Sequence, residues 1–173
     1  MPGRPPPPVP QSGAMNAEQT EALRHLLASQ PVAALATLHR GDPAVSMVPY
    51  ALLPDGRVII HVSALATHTA DMKAHPAVAL MVTSPATPEV SPLALPRLSM
   101  RGQVAPCPPD APEHADARAA YLARLPDAEP LFSFADFSLL LITVDSARWV
   151  GGFAQAQSLT GRQFVAALGT AGA

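Results

Sequence analysis

The sequence predicts a mainly β domain of the α+β class, a small antiparallel barrel, closed or partly open, with helices packed around it. Three observations lead there. Short apolar and β-branched segments follow one another across tight-turn signals, Gly41-Asp42-Pro43 and Pro54-Asp55-Gly56, of the kind that join antiparallel strands. Helical periodicity is confined to a few short stretches between or outside those segments. The chain has 173 residues, 49% of them hydrophobic, enough for one substantial core and too few for a pair of large domains.

The first 15 residues, with Pro2, Pro5 to Pro8 and Pro10 before Gln11-Ser12-Gly13, read as a disordered polyproline leader, and folding is expected to begin near Asn16, giving a domain over 16–173. Asn16 and Gln19 form a capping-box pattern, and Ala22, Leu23, Leu26 and Leu27 share one helical face until Pro31, which predicts a helix over 17–29. Strands are predicted over 32–38, 45–53 and 58–62, joined by the two turns. A short helix over 67–74 closes at His75-Pro76, and 78–82 returns as a buried strand, a β-α-β passage in mid-chain.

Prolines 85, 88, 92 and 96 exclude a central strand over 84–96, leaving an extended loop long enough to act as a flap. The segment 98–105 alternates, with Arg97, Ser99, Arg101 and Gln103 on one face. After the breaker cluster 106–112, a helix runs to about Leu125 with Glu113 and Asp116 at its start and Arg118 and Arg124 further on, matching its dipole. Strands over 137–144 and 147–150, a break at Gly151-Gly152 and a closing helix over 162–168 complete about six or seven strands and three or four helices.

Composition narrows the function. With 11 Lys and Arg against 13 Asp and Glu, the chain has no basic surplus to neutralise a run of phosphates, so nucleic acid is not an expected partner. Its apolar stretches fall far short of the roughly 20 residues that span a bilayer, so no membrane helix is expected either. The single cysteine, Cys107, and the proline-rich start where a secretory signal needs an apolar helix point to a cytoplasmic protein without disulfides. Only 14% of residues are charged, which leaves little polar surface and favours self-association as a homodimer. Phe132, Phe134, Phe137, Trp149 and Phe153 are candidates for that interface.

No cysteine pair, phosphate loop or dinucleotide fingerprint is present, and the six histidines show no metal-ligand spacing on one element, so no metal site is expected. His68 stands out because it lies in the first turn of a helix, where unpaired N–H groups and the positive end of the dipole favour an anion, with the Thr67 hydroxyl beside it. The alternative is that Thr67 merely caps the helix and His68 is solvated.

The stretch Ser63-Ala64-Leu65-Ala66-Thr67-His68-Thr69-Ala70-Asp71-Met72, ending at His75-Pro76, resembles the strand-to-helix segment of the FMN-binding split barrels, the superfamily of pyridoxamine 5'-phosphate oxidase. The likeness is strongest to its haem-utilisation, HugZ-type branch. Further pieces fall in the same order: Ser46-Met47-Val48-Pro49-Tyr50, Pro96-Arg97-Leu98-Ser99 running to Gly102, Asp136-Phe137, and Val150-Gly151-Gly152-Phe153. The resemblance covers about residues 16 to 160. It implies a six-stranded antiparallel split β-barrel with peripheral helices, dimeric, holding FMN between subunits. Under it, Ser46 and Val48, then His61, Val62 and Ser63, line the flavin and its ribityl chain. Thr67 and His68 match the phosphate-binding pair, and Arg97 approaches from the next strand to meet the phosphate or the flavin edge.

Pyridoxamine phosphate oxidases carry an arginine and a lysine where this chain has Ser46 and Ala51, and it lacks their arginine-rich C-terminal segment, which argues against vitamin B6 oxidation. Haem-degrading members are expected to ligate iron with a histidine near the C-terminus, but none follows His114, so haem would need His61 or His68 as a substitute ligand. The first expectation is therefore an FMN-dependent oxidoreductase of a small-molecule substrate, with its catalytic residues unassigned. A haem-binding or haem-utilisation protein on the same barrel is the second. A dimeric barrel without catalysis is the third.

Overall fold

A computed structural model describes residues 15–152 and 155–169. Phe153 and, apart from Met15, the proline-rich leader lie outside the described residues. Met15 itself already packs against the core.

Helix α1 (Ala17–Ser29) starts where both halves of the capping box close: the Gln19 amide donates to Asn16 Oδ1 at 2.8 Å and the Asn16 amide to Gln19 Oε1 at 3.1 Å. Its far end is held from outside, because Arg124 Nη2 donates to the carbonyls of Leu27 and Gln30 at 2.6 and 2.7 Å. Strands β1 (Val32–His39) and β2 (Asp42–Pro49) form a hairpin in full register from Val32↔Pro49 to His39↔Asp42. The turn is Arg40-Gly41, both at positive φ, so Asp42 and Pro43 belong to the strand and not to the turn expected from sequence. Proline is tolerated there because β2 is an edge strand.

Next come β3 (Ala51–Leu52), β4 (Val58–Ser63), α2 (Thr67–Ala74) and β5 (Ala77–Thr83). The loop 84–96 contains one 3-10 turn, Pro92–Ala94, and leads into β6 (Arg97–Pro106). Helix α3 (His114–Arg124) is followed by a 3-10 segment, Pro126–Ser133, that the sequence did not reveal. The expected pair of last strands is one continuous strand, β7 (Phe137–Val150), which carries through Asp145 and Ser146 across a register shift: Arg101 pairs with Ser146 and Gly102 with Val144, and Asp145 is skipped. A further strand, β8 (Ala156–Thr160), precedes α4 (Gly161–Leu168).

Among the described residues eight strands join one antiparallel sheet in the order β2-β1-β5-β6-β7-β4-β3, with β8 paired to β7. The sheet curls until β2 lies against β4, yet the hydrogen-bonded ladders end at β2 on one side and β3 on the other. This is a split barrel, with eight strands rather than the six expected. The mid-chain β4-α2-β5 passage is present, but its two strands are separated in the sheet by β6 and β7.

The barrel interior holds Leu35, Val58, Ile60, Leu98, Trp149 and Phe164, each inaccessible to solvent. A second core, built from Ile59, Leu139, Leu141, Ala117 and Tyr121, fills the space between the outer faces of β4 and β7 and helix α3. Strand β4 is thus covered on both faces, which is why all its residues from Val58 to Val62, His61 included, are buried.

Trp149 belongs to the barrel core and is no part of any surface, which corrects its assignment to the dimer interface. Phe132 and Phe137 are partly buried around His61, and among the described candidates only Phe134 is substantially exposed. The aromatic residues were drawn inward because both cores need large side chains. The exposed apolar surface is instead on the outer face of the β2-β1-β5 edge, where Val45 and Met47 are 76% and 63% exposed. The register aligns Met47, Ala34 and Met81 in one row and Val45, Ala36 and Ala79 in the next. Among the described residues no helix is long and apolar enough to cross a membrane.

Candidate functional site

The split between β2 and β4 is where the sheet leaves backbone and side chains without strand partners, so it is the natural place for a ligand in this fold. On β2 the side chains alternate: Val45 and Met47 face out, while Ser46 and Val48 turn toward the interior. Val48 is buried in the barrel core. Ser46 is half-buried, and its hydroxyl oxygen is sequestered without a hydrogen-bond partner. A buried hydroxyl left unpaired costs free energy, and a ligand group in the split would relieve it.

Across the split, β4 ends at Ser63. Its hydroxyl donates to Asp136 Oδ2 at 2.5 Å and accepts from the Leu65 amide at 3.1 Å, and its carbonyl accepts from Thr69 Oγ1 at 2.7 Å. These bonds fix the turn that launches α2. The N-cap is Ala66, which has no side chain able to cap, and no acidic residue occupies the first turn. Thr67 does not cap its own helix, and it is exposed with His68 half-buried beside it. The start of α2 therefore presents neutral donors to the mouth of the split, with Lys73 only in its last turn.

Val62 packs into the barrel core, and the His61 side chain points the other way, into the second core. There it lies between Phe132, Phe137 and Tyr121 with its Nδ1 unpartnered. Burial, reinforced by the nearby His114, pulls its pKa down to about 4, so the ring is neutral. Only the backbone of His61 is left to face the split.

Arg97 is at the other end of the molecule. It pairs with Val150, whereas Ser63 pairs with Phe137, and the ten residues of β6 span about 30 Å at the usual rise per residue. Its Nη1 donates to the Leu95 carbonyl at 3.1 Å, on its own loop. Within one protomer Arg97 does not reach the start of α2, against the grouping expected from sequence.

The residues missed by sequence reasoning are His39 and Asp71. Asp71, on the second turn of α2, is buried and accepts from His39 Nδ1 at 2.7 Å through Oδ1 and from Thr37 Oγ1 at 3.0 Å through Oδ2. Burial raises its pKa, but the two hydrogen bonds and the His39 and His68 rings outweigh that and hold the carboxyl below its ordinary value. His39 and Thr37 lie on the same inward-facing side of β1 as Leu35, which is directly opposite Ser46. His68 is half-buried nearby, its pKa lowered by burial against the opposing pull of Asp71. Among the described residues no cluster of three or more His, Cys, Asp or Glu side chains is placed to hold a bare metal ion.

The polar groups suit a cofactor bearing a carboxylate or phosphate: an orphaned hydroxyl on β2 at the split and an open helix start free of acidic side chains, while Val48, beside Ser46 on the same face of β2, is buried in the barrel core.

Comparison with known proteins agrees. The chain is 33% identical over 118 residues to the chloroplastic haem oxygenase HOZ of Arabidopsis thaliana, which covers 68% of this chain and 35% of that protein. It superposes on the haem-binding protein of Mycobacterium smegmatis with a TM-score of 0.78 and 34% identity, over 88% of this chain and 62% of that one. ChuZ of Campylobacter jejuni shares the fold, with a TM-score of 0.76 at 20% identity over 88% of this chain and 63% of that one. The chain thus spans about a third to three fifths of the length of these relatives. The family model for pyridoxamine 5'-phosphate oxidase matches residues 19–151, through the strands that flank the split and the start of α2. The chain belongs to the pyridoxamine 5'-phosphate oxidase family and resembles its haem-utilisation branch.

Proposed function

We propose that this protein binds haem in the split of the barrel, in a homodimer whose second copy covers the β2-β1-β5 face. The observation that carries the reading is that two relatives more than 30% identical, one by sequence and one by superposition, are a haem oxygenase and a haem-binding protein. The site's electrostatics favour it as well. Haem presents monoanionic propionates, which neutral donors such as the Thr67 hydroxyl and the α2 amides can satisfy, whereas the FMN phosphate is a dianion that calls for a full positive charge. The expected cation, Arg97, is at the far end of the sheet in the same protomer.

Haem supplies a redox-active iron and two broad apolar faces that must be covered. Val48, buried in the barrel core, would wall one side only where the core opens to the ligand, the Ser46 hydroxyl would bond a polar group inside the split, and Thr67 and His68 would hold an acidic side group at the mouth. The Ser46 hydroxyl also suits a ribityl chain or flavin edge, and this keeps an FMN-dependent oxidoreductase as the second reading. In that case Arg97 would have to come from the second copy. The unpaired, buried Cys107 fits a reducing compartment, which supports a cytoplasmic location.

Filling the split tests the site. Ser46→Trp should abolish the Soret band that develops when the parent is titrated with haem, while leaving the melting temperature of the ligand-free protein within a few degrees. Undiminished haem binding by a folded Ser46→Trp protein would place the ligand elsewhere.

A further inference from the structure

We propose that His39 is the protein ligand of the haem iron, through Nε2, with Asp71 and Thr37 as the residues that position it. The inference rests on the haem reading and deepens it.

The geometry is specific. A carboxylate only accepts hydrogen bonds, so the 2.7 Å contact places a His39 proton on Nδ1, and in the neutral ring that iron binding requires the Nε2 lone pair is then the free one. Metal-bound imidazoles commonly donate their other N–H to a carboxylate in this way, which fixes the ring and raises its basicity. Asp71 cannot easily rotate away, because its second oxygen accepts from Thr37. The Asp71 side chain is 6% exposed, yet that of His39 is 42% exposed. The buried end of the dyad is thus the orienting end, and the imidazole is the accessible one.

Position supports the assignment. His39 is on the inward-facing side of β1, and Asp71 belongs to α2, the helix that follows β4 across the split and packs on β1. Two independent elements, one barrel strand and α2, therefore converge on this ring.

The other histidines are placed less well. His61 is covered by Phe132, with ring centroids 3.9 Å apart, and is buried in the second core. His114 also has its Nδ1 engaged, 2.8 Å from the Cys107 carbonyl, but it starts α3 behind that second core. His25 and His75 are exposed surface residues. His68 shares α2 with Asp71 and is the nearest competitor, but among the described residues no hydrogen bond orients its ring as Asp71 orients that of His39.

The competing interpretation is that the dyad only clamps α2 to β1. The experiment is a ferric haem titration of the full chain, followed by electronic absorption, electron paramagnetic resonance and, on the ferrous form, resonance Raman spectra. His39→Ala should weaken haem binding about 10- to 100-fold and lose the iron–histidine stretching band, and added imidazole should restore the parent absorption spectrum. Asp71→Asn should retain haem but shift that band to lower frequency, because the neutral amide makes the imidazole a weaker donor. A mere clamp would not move it. His68→Ala and His114→Ala should leave the band in place. If His39→Ala fails to fold, His39→Gln, which keeps a hydrogen bond to Asp71, gives the same reading. An unchanged iron–histidine band in a folded His39 variant would overturn the inference alone. A parent protein that develops no Soret band would overturn the haem reading on which it rests.

Discussion

Phe132 lies flat on the imidazole of His61, their ring centroids 3.9 Å apart and their planes 12° from parallel. The stack ties the 3-10 segment 126–133 to strand β4, and with Tyr121 and Phe137 it keeps water from the ring. A neutral imidazole suits such an apolar setting, and a charged one does not.

Stability should therefore fall with acid in a defined window. Folded His61 takes a proton only near pH 4, whereas in the unfolded chain it does so near its ordinary 6.5, so between these values the unfolded state binds more protons. The contribution is fully present above about pH 6.5, declines as the pH falls toward 4, and does not decline further below. The expected loss is about 2 kcal/mol. Urea melts of the parent and of His61→Phe at pH 7 and pH 4.5 would measure it, and the variant should show the shallower pH dependence. Equal slopes would show that His61 is not the group responsible.

Arg124 links three elements from its place at the end of α3. Its guanidinium caps two carbonyls at the end of α1 and sits 4.9 Å from the centre of the Tyr50 ring, while the Tyr50 hydroxyl donates to Leu27 at 3.0 Å. Burial pushes the Tyr50 pKa up to about 12 against the pull of the Arg124 charge. Removing the guanidinium takes the Gln30 carbonyl's donor away and leaves the Leu27 carbonyl with the Tyr50 hydroxyl alone, so Arg124→Ala should cost about 1 to 3 kcal/mol, with Arg124→Lys recovering part of it. A melting temperature unchanged in Arg124→Ala would show that α1 does not depend on this cap.

Gly102 stands at the bulge where the β6–β7 register shifts, and a Cβ there would fall within 2.1 Å of the Thr143 carbonyl oxygen. Backbone is in the way, so the clash is not relieved by a rotamer change. Gly102→Ala should destabilise the protein by several kcal/mol or prevent its folding, as judged by thermal melting and soluble yield. A melting temperature within a degree or two of the parent would mean that the sheet has room the register denies.

The proposed dimer depends on the outer face of the β2-β1-β5 edge. Small alanines 34, 36 and 79 lie between Val45, Met47 and Met81, giving a smooth apolar surface along an edge strand. Light scattering should give about twice 18.0 kDa for the parent and a single-chain mass for a Val45→Glu, Met47→Glu double variant. A monomeric parent at micromolar concentration would remove the second copy from the account.

Local signals were the legible part of this fold. The limits of α1 and α2 follow from the Asn16–Gln19 capping box with Pro31, and from the His75-Pro76 stop, each contained within a few residues. Strand β8 was not visible because Gln155 to Thr160 is mostly polar, and it is a strand through its pairing with β7. The two last strands read as separate because Asp145 and Ser146 look like a turn, although Ser146 pairs with Arg101 of β6 and Thr160 of β8 and the strand runs on past the register shift at Asp145. At the site, Thr67 and His68 were legible as a helix start. The His39–Asp71 dyad was not, since its members are 32 positions apart and meet only when α2 packs on β1. The place of Arg97 in the motif order likewise does not reveal which end of the sheet it occupies in one protomer.

The central claim is that haem, and not FMN, is the ligand of the split. Parallel equilibrium titrations of the purified full chain with haem and with FMN, read by the Soret band and by quenching of flavin fluorescence, test it most directly. The expected result is a saturating Soret band at one haem per protomer, with FMN binding at least tenfold weaker and unable to displace it. Saturable, tight FMN binding with only a broad, non-saturating haem absorbance would contradict the claim and restore the flavin reading.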